Sequence, residues 1–163
     1  MKMNRKFVWL AVLASLAVVQ ASAQVLGADQ LKKIVPASYF FAGQSASVQV
    51  RNSAGYKTAG GKVVLAGLVD TSGYSTGIAE KYQGFLITEI RLNFAGTTLE
   101  PGQYGFGFRE GKFGVLNVAS TDLFTVDSQN DEALKHPVPL KFEKEEGGFR
   151  FYAGRKYVVV KAE

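Results

Sequence analysis

Three carboxylates, Asp70, Glu80 and Glu89, fall within or beside one stretch, DTSGYSTGIAEKYQGF, from Asp70 to Phe85. Two carboxyl groups facing each other across a cleft can cleave a glycosidic bond, one as acid and the other as nucleophile or base. Their spacing here supports no such pair, because Glu89 falls on the wet face of a strand pattern with Arg91, two residues on, as its natural surface partner. The same stretch sets Tyr74 and Tyr82 among serine, threonine and glycine, the mixture with which adaptable contact loops bind. The run from Thr71 to Gly77 exceeds the roughly two to five residues of a hairpin loop, and long ordered loops on a rigid sheet carry binding surfaces. Asp70, Tyr74, Glu80 and Tyr82 are therefore the candidate ligand-binding residues, with an ordinary flexible connection as the competing reading.

Other chemistry has little to stand on. The single histidine, His136, sits beside Pro137 with no second histidine to share a metal, and reads as an exposed residue. With no cysteine there are neither disulfides nor thiol chemistry. Gly105, Gly107 and Gly111 miss the G-x-G-x-x-G phosphate fingerprint, because Glu110 stands where the third glycine belongs and a strand follows where a helix is needed. No Walker-type run, H-E-x-x-H, G-x-S-x-G elbow or EF-hand spacing occurs. Neither a cofactor, a metal nor a catalytic residue is expected.

The elements that must position these residues are strands. LITEIRLNF, from Leu86 to Phe94, alternates Leu86, Thr88, Ile90, Leu92 and Phe94 against Ile87, Glu89, Arg91 and Asn93, a period-two pattern with one buried and one wet face. Val48 and Val50 alternate with polar neighbours, as do Val138, Leu140 and Phe142, whereas KVVLAGLV, from Lys62 to Val69, is apolar on both faces like a central strand. Short glycine-bearing turns at Glu110-Gly111, Glu146-Gly147-Gly148 and Gly154-Arg155 join further β-like runs, the last two making a three-stranded meander. In Tyr104-Gly105-Phe106-Gly107-Phe108 the aromatics take one face and the glycines the other, which suits a curved sheet or the close approach of something else. Two short helices are predicted, Asp29 to Val35 before Pro36 and Ser128 to Lys135 before Pro137. The pattern predicts an all-β domain, a single antiparallel β-sandwich or flattened β-barrel of about eight strands with two short peripheral helices.

The chain's start reads as an address. Lys2, Arg5 and Lys6 precede an uncharged apolar run from Phe7 to Val19, and Ala21-Ser22-Ala23 offers a signal-peptidase site. At about 1.5 Å per residue that run spans only about 20 Å, short of a bilayer core of about 30 Å. Residues 1–23 are expected to be a cleavable signal peptide and residues 24–163 the mature β-domain, periplasmic or secreted and not stably inserted in a membrane. Losing the leader cuts the balance from 19 basic against 14 acidic side chains to 16 against 14. A nucleic-acid partner then has little electrostatic support.

A short leader helix followed by SYFFAGQSASVQVRN, SGYSTGIAEKYQGFLITE, LEPGQYGFGF and FYAGRKYVVVK resembles small exported all-β proteins of unknown function from environmental Gram-negative bacteria. The likeness spans the mature chain. It implies export and an all-β fold, and it carries no catalytic residue over. Function is thus expected to be non-enzymatic, the binding of a protein or polysaccharide partner in the cell envelope. A carrier of a small apolar ligand in a barrel cavity is the alternative, signalled by the many aromatics, and a hydrolase using surface carboxylates is the weakest reading.

Overall fold

The computed structural model describes residues 22–163. The leader reading for residues 1–23 lies outside them but for Ser22 and Ala23.

The described residues form fourteen strands and two short helices: β1 (Gln24–Val25), α1 (Ala28–Ile34), β2 (Ser38–Phe41), β3 (Gln44–Lys57), β4 (Val63–Val69), α2 (Thr76–Ala79), β5 (Gly84–Thr88), β6 (Leu92–Phe94), β7 (Thr97–Leu99), β8 (Gly102–Arg109), β9 (Lys112–Leu116), β10 (Asp122–Asp127), β11 (Gln129–Asn130), β12 (Val138–Glu145), β13 (Gly148–Gly154) and β14 (Lys156–Ala162). Several strands are only two or three residues long, which is why the count exceeds the eight expected. One antiparallel sheet runs β1-β3-β4-β5-β8-β9-β10, with β2 added beside β3. The other runs β12-β13-β14-β6-β7, with β11 beside β14. Neither sheet closes on itself, so the architecture is a sandwich. No helix among the described residues is long and apolar enough to cross a membrane.

The inner faces of the two sheets meet in an aromatic core. Phe106 and Phe108 pack on Phe113 and Phe151 with ring centroids 5.0–6.1 Å apart, and Tyr56 stacks on Phe149 at 3.9 Å. Such offset and edge-on pairs add to what the buried area alone contributes.

The first sheet is covered on its outer face as well. In β5, Phe85 and Leu86 are adjacent and both buried, Leu86 in the inter-sheet core and Phe85 in a second cluster on the far side. That second cluster is roofed by Leu31 and Val35 from α1 and its end, by Tyr39 and Phe41 from β2, and by Tyr74 and Tyr82 from the connection after β4. The register of β3 against β4 slips between Val48 and Ser53. Beyond that bulge the β2–β3 hairpin lies over the sheet, Tyr39 stacking on Phe85 at 5.1 Å. Bulges bend a strand in this way. The first sheet is therefore the middle layer of three.

The central strand predicted over Lys62 to Val69 is β4, and the Glu110-Gly111 turn joins β8 to β9 with both turn residues at positive φ (50° and 72°). Two predictions are corrected. The alternating run Leu86 to Phe94 is not one strand: β5 ends at Thr88 in the first sheet and β6 begins at Leu92 in the second. Thr88 Oγ1 donates to the Ile90 carbonyl at 2.6 Å and accepts the Ile90 N–H at 3.2 Å, closing a local turn that lifts the chain from one ladder to the other. Thr88, Leu92 and Phe94 stay buried throughout, because both inner faces look onto one core. The second predicted helix, Ser128 to Lys135, is absent; β11 and turns occupy those residues. Their carbonyls are engaged from outside, with Arg155 Nη1 donating to Asp131, Glu132 and Leu134, and the segment has no apolar stripe to bury as a helix.

Candidate functional site

The connection from Asp70 to Gln83 is ordered throughout by its own hydrogen bonds. Asp70 Oδ1 accepts the Ser72 N–H at 3.0 Å, a turn that the short aspartate side chain favours, and this bond holds the carboxyl below its ordinary range. The Tyr74 N–H donates to the Thr71 carbonyl, and a single helical turn, α2, follows Ser75. Gln83 stitches the end of the connection to β8, its side chain accepting the Phe108 N–H at 2.9 Å and its backbone N–H donating to the Phe106 carbonyl at 2.8 Å.

The four candidate residues share this connection but part company on it. Tyr82 is fully buried and stacks on Phe41 at 3.7 Å; Tyr74 is buried edge-on to both rings, at 5.4 and 6.2 Å. Burial, with the phenols of Tyr74 and Tyr39 close by, pushes the Tyr82 hydroxyl far above its ordinary value. Asp70 and Glu80 point into solvent. The tyrosines thus roof the second cluster and leave the loop surface to small polar residues and carboxylates.

The surface pair expected between Glu89 and Arg91 does not form. Glu89 lies at the opposite end of β5 from the connection and accepts the Val63 N–H at 2.8 Å, while Arg91 pairs with Glu100 at 3.1 Å.

The glycines facing Phe106 and Phe108 across β8 find their reason here. A Cβ at Gly105 would lie 2.5 Å from the Phe41 ring, and one at Gly107 would lie 2.3 Å from the Lys81 carbonyl oxygen. Both positions are bare because the roof presses on them. Gly114, directly across the ladder from Gly107, is different. A Cβ there would meet Thr125 Cγ2 at 3.6 Å and the Gly107 carbonyl oxygen at 3.9 Å, both ordinary contacts. Glycine within a strand is disfavoured by about 0.5–1 kcal/mol relative to alanine, and no contact among the described residues requires it at this position.

Gly114 floors a groove of about 210 Å³ at the uncovered margin of the first sheet's outer face. Thr125 of β10 lies beside it. One wall is Lys81, whose Nζ donates to the Ser120 carbonyl at 2.8 Å and pairs with Asp122 at 3.2 Å. Arg109, Glu110 and Lys112, from the β8–β9 hairpin, form the other. Lys112 pairs with Asp127 across the ladder, both well exposed. Arg109 makes no ion pair among the described residues. A larger hollow of about 450 Å³ between α1 and β3 is lined by Leu31 and Val50, and its one buried polar side chain, Ser53, is satisfied by the Val50 carbonyl at 2.6 Å.

Lys81, Arg109, Lys112, Gly114 and Thr125 were not among the sequence candidates, yet a signal for them exists. A two-residue turn at Glu110-Gly111 fixes the register of the two strands it joins, setting Arg109 against Lys112 and Gly107 against Gly114. Two glycines on one face beside two cations can be read from that register alone. Compared with family models, curated proteins and solved structures, the chain finds no match in any of the three.

Proposed function

We propose that this chain is an exported, non-enzymatic β-domain that binds a partner in the cell envelope through the groove over Gly114. The observation that carries the reading is the bare backbone at Gly114: most of the outer face of this sheet is roofed by the chain itself, and this patch is left open with no contact among the described residues that calls for its glycine. Glycine on a strand face permits the close approach of a ligand or a second backbone. The alternatives draw less support. A carrier needs space behind Tyr104, Phe106 and Phe108, where Phe106 and Phe108 are instead packed ring against ring, and a hydrolase needs converging carboxylates, where Glu89 lies at the far end of β5 from Asp70 and Glu80.

Co-sedimentation of the full chain, purified after export, with fragments of its own cell envelope tests this. The wild-type protein is expected to sediment with the fragments, and Gly114→Val to stay in solution with an unchanged melting temperature. Equal sedimentation of the two proteins would overturn the assignment of the groove.

A further inference from the structure

We infer that the groove over Gly114 takes a uronic-acid residue of an acidic polysaccharide, an inference that rests on the groove being the binding site. Its rim carries both kinds of group that such a sugar needs. Lys81, Arg109 and Lys112 bring positive charge from the β4–β5 connection and from both strands of the β8–β9 hairpin, while Glu110, Asp122 and the Thr125 hydroxyl offer acceptors between them. A hexuronate presents one carboxylate and several hydroxyl donors on a single ring, and so matches cations and acceptors together. A run of acidic side chains on a peptide would meet the cations but bring no hydroxyl donors to Glu110, Asp122 and Thr125. A neutral sugar would leave Arg109 without a counter-charge.

The cations differ in how they are held. Lys81 is fixed, its side chain only 27% exposed and bonded to Ser120 and Asp122. Lys112 sits in an exposed pair with Asp127, and such pairs are exchanged for a new partner at little cost. Arg109 has no ion-pair partner among the described residues to give up, and its planar fork suits a carboxylate bound through two hydrogen bonds. The groove, at about 210 Å³, is smaller than the roughly 300–1,000 Å³ of pockets that enclose a whole small-molecule ligand. It therefore accommodates one unit of a longer chain. Because β10 is the sheet edge, the rest of that chain can pass on into solvent. Among the described residues no aromatic side chain lines the groove, so recognition rests on charge and hydrogen bonds, and affinity falls as salt rises.

Isothermal titration of the full chain with tetragalacturonate, with maltotetraose and with polyglutamate tests the assignment. Binding of tetragalacturonate alone is expected, weakened by about tenfold or more in Arg109→Ala and in Gly114→Val, the loss that follows from removing one charge-assisted hydrogen bond or filling the floor. Both variants are expected to keep the wild-type melting temperature. Equal binding of polyglutamate, or binding of maltotetraose, would overturn the ligand class. So would failure of tetragalacturonate to bind while envelope fragments still sediment in a manner that depends on Gly114, and in that case the groove would stand as the site. Tetragalacturonate binding unaffected by either substitution would overturn both the ligand assignment and the groove.

Discussion

A methyl group on Gly107 and one on Gly114 would meet very different surroundings, although the two residues are cross-strand neighbours. The first would be forced into the Lys81 backbone, which cannot swing away as a side chain could; the second would make ordinary contacts with the Thr125 methyl and the Gly107 carbonyl oxygen. Gly107→Ala is expected to cost about 1–3 kcal/mol, as overpacking does. Gly114→Ala is expected to be neutral or to stabilise by up to about 1 kcal/mol through the lower entropy of the unfolded chain. Thermal melts of the two variants check this, and equal losses at both positions would contradict the open floor. The tyrosines give a second expectation. Burial pushes the Tyr39 phenol up to about 12, and those of Tyr56 and Tyr82 higher still, from an ordinary value of 10.0. In the unfolded chain they release their protons first, so the stability they confer is fully present below about pH 10 and is lost as pH climbs through 12. Tyrosinate absorbance from these three should therefore appear together with unfolding in alkali. A smooth titration near pH 10 in the folded protein would show them to be exposed.

At the scale of elements, the segment from Gln129 to Leu134 is the least conventionally held part of the fold. Gln129 and Asn130 pair with Tyr157 and Lys156 of β14, and polar side chains hold the rest: Arg155 to the three carbonyls, the Tyr152 hydroxyl to Asp131 at 2.9 Å and the Tyr157 hydroxyl to Gln129 at 2.6 Å. Arg155→Ala is expected to raise amide exchange across residues 131–135 at least about tenfold while the β13–β14 ladder keeps its protection, since local openings are governed by local contacts. Uniform loss of protection would mean that the segment is integral to the sheet. This segment and the break after Thr88 mark where reading the sequence fell short. Period-two patterning reports which face of a strand is buried; it is silent on which sheet the strand belongs to when two inner faces share one core. The charges of residues 128–135 suit a helix, but Arg155 lies about twenty residues on, and its donors settle the conformation of that segment. Turn-bounded elements were legible, the β8–β9 hairpin and the C-terminal meander above all, because a two-residue turn sets its own register.

For the molecule as a whole, the layer that sequence patterning misses is the roof. Composition distinguishes strand from helix, but it does not show that α1, the β2–β3 hairpin and the long connection all fold onto one face of one sheet. Tyr74 and Tyr82 therefore read equally well as contact residues or as core, and only the third layer decides that they are core. That layer also explains the site: roofing most of a sheet face leaves its remaining margin as the place where bare backbone meets solvent. The central claim is that this margin, with Lys81 as one wall, and not the Asp70–Glu80 part of the long connection, is where the partner binds. Amide exchange of the full chain with and without tetragalacturonate tests it most directly. Added protection confined to residues 107–114 and 122–127 and to the neighbourhood of Lys81 is the expected result; protection over residues 70–80, or none at β9 and β10, would contradict the account.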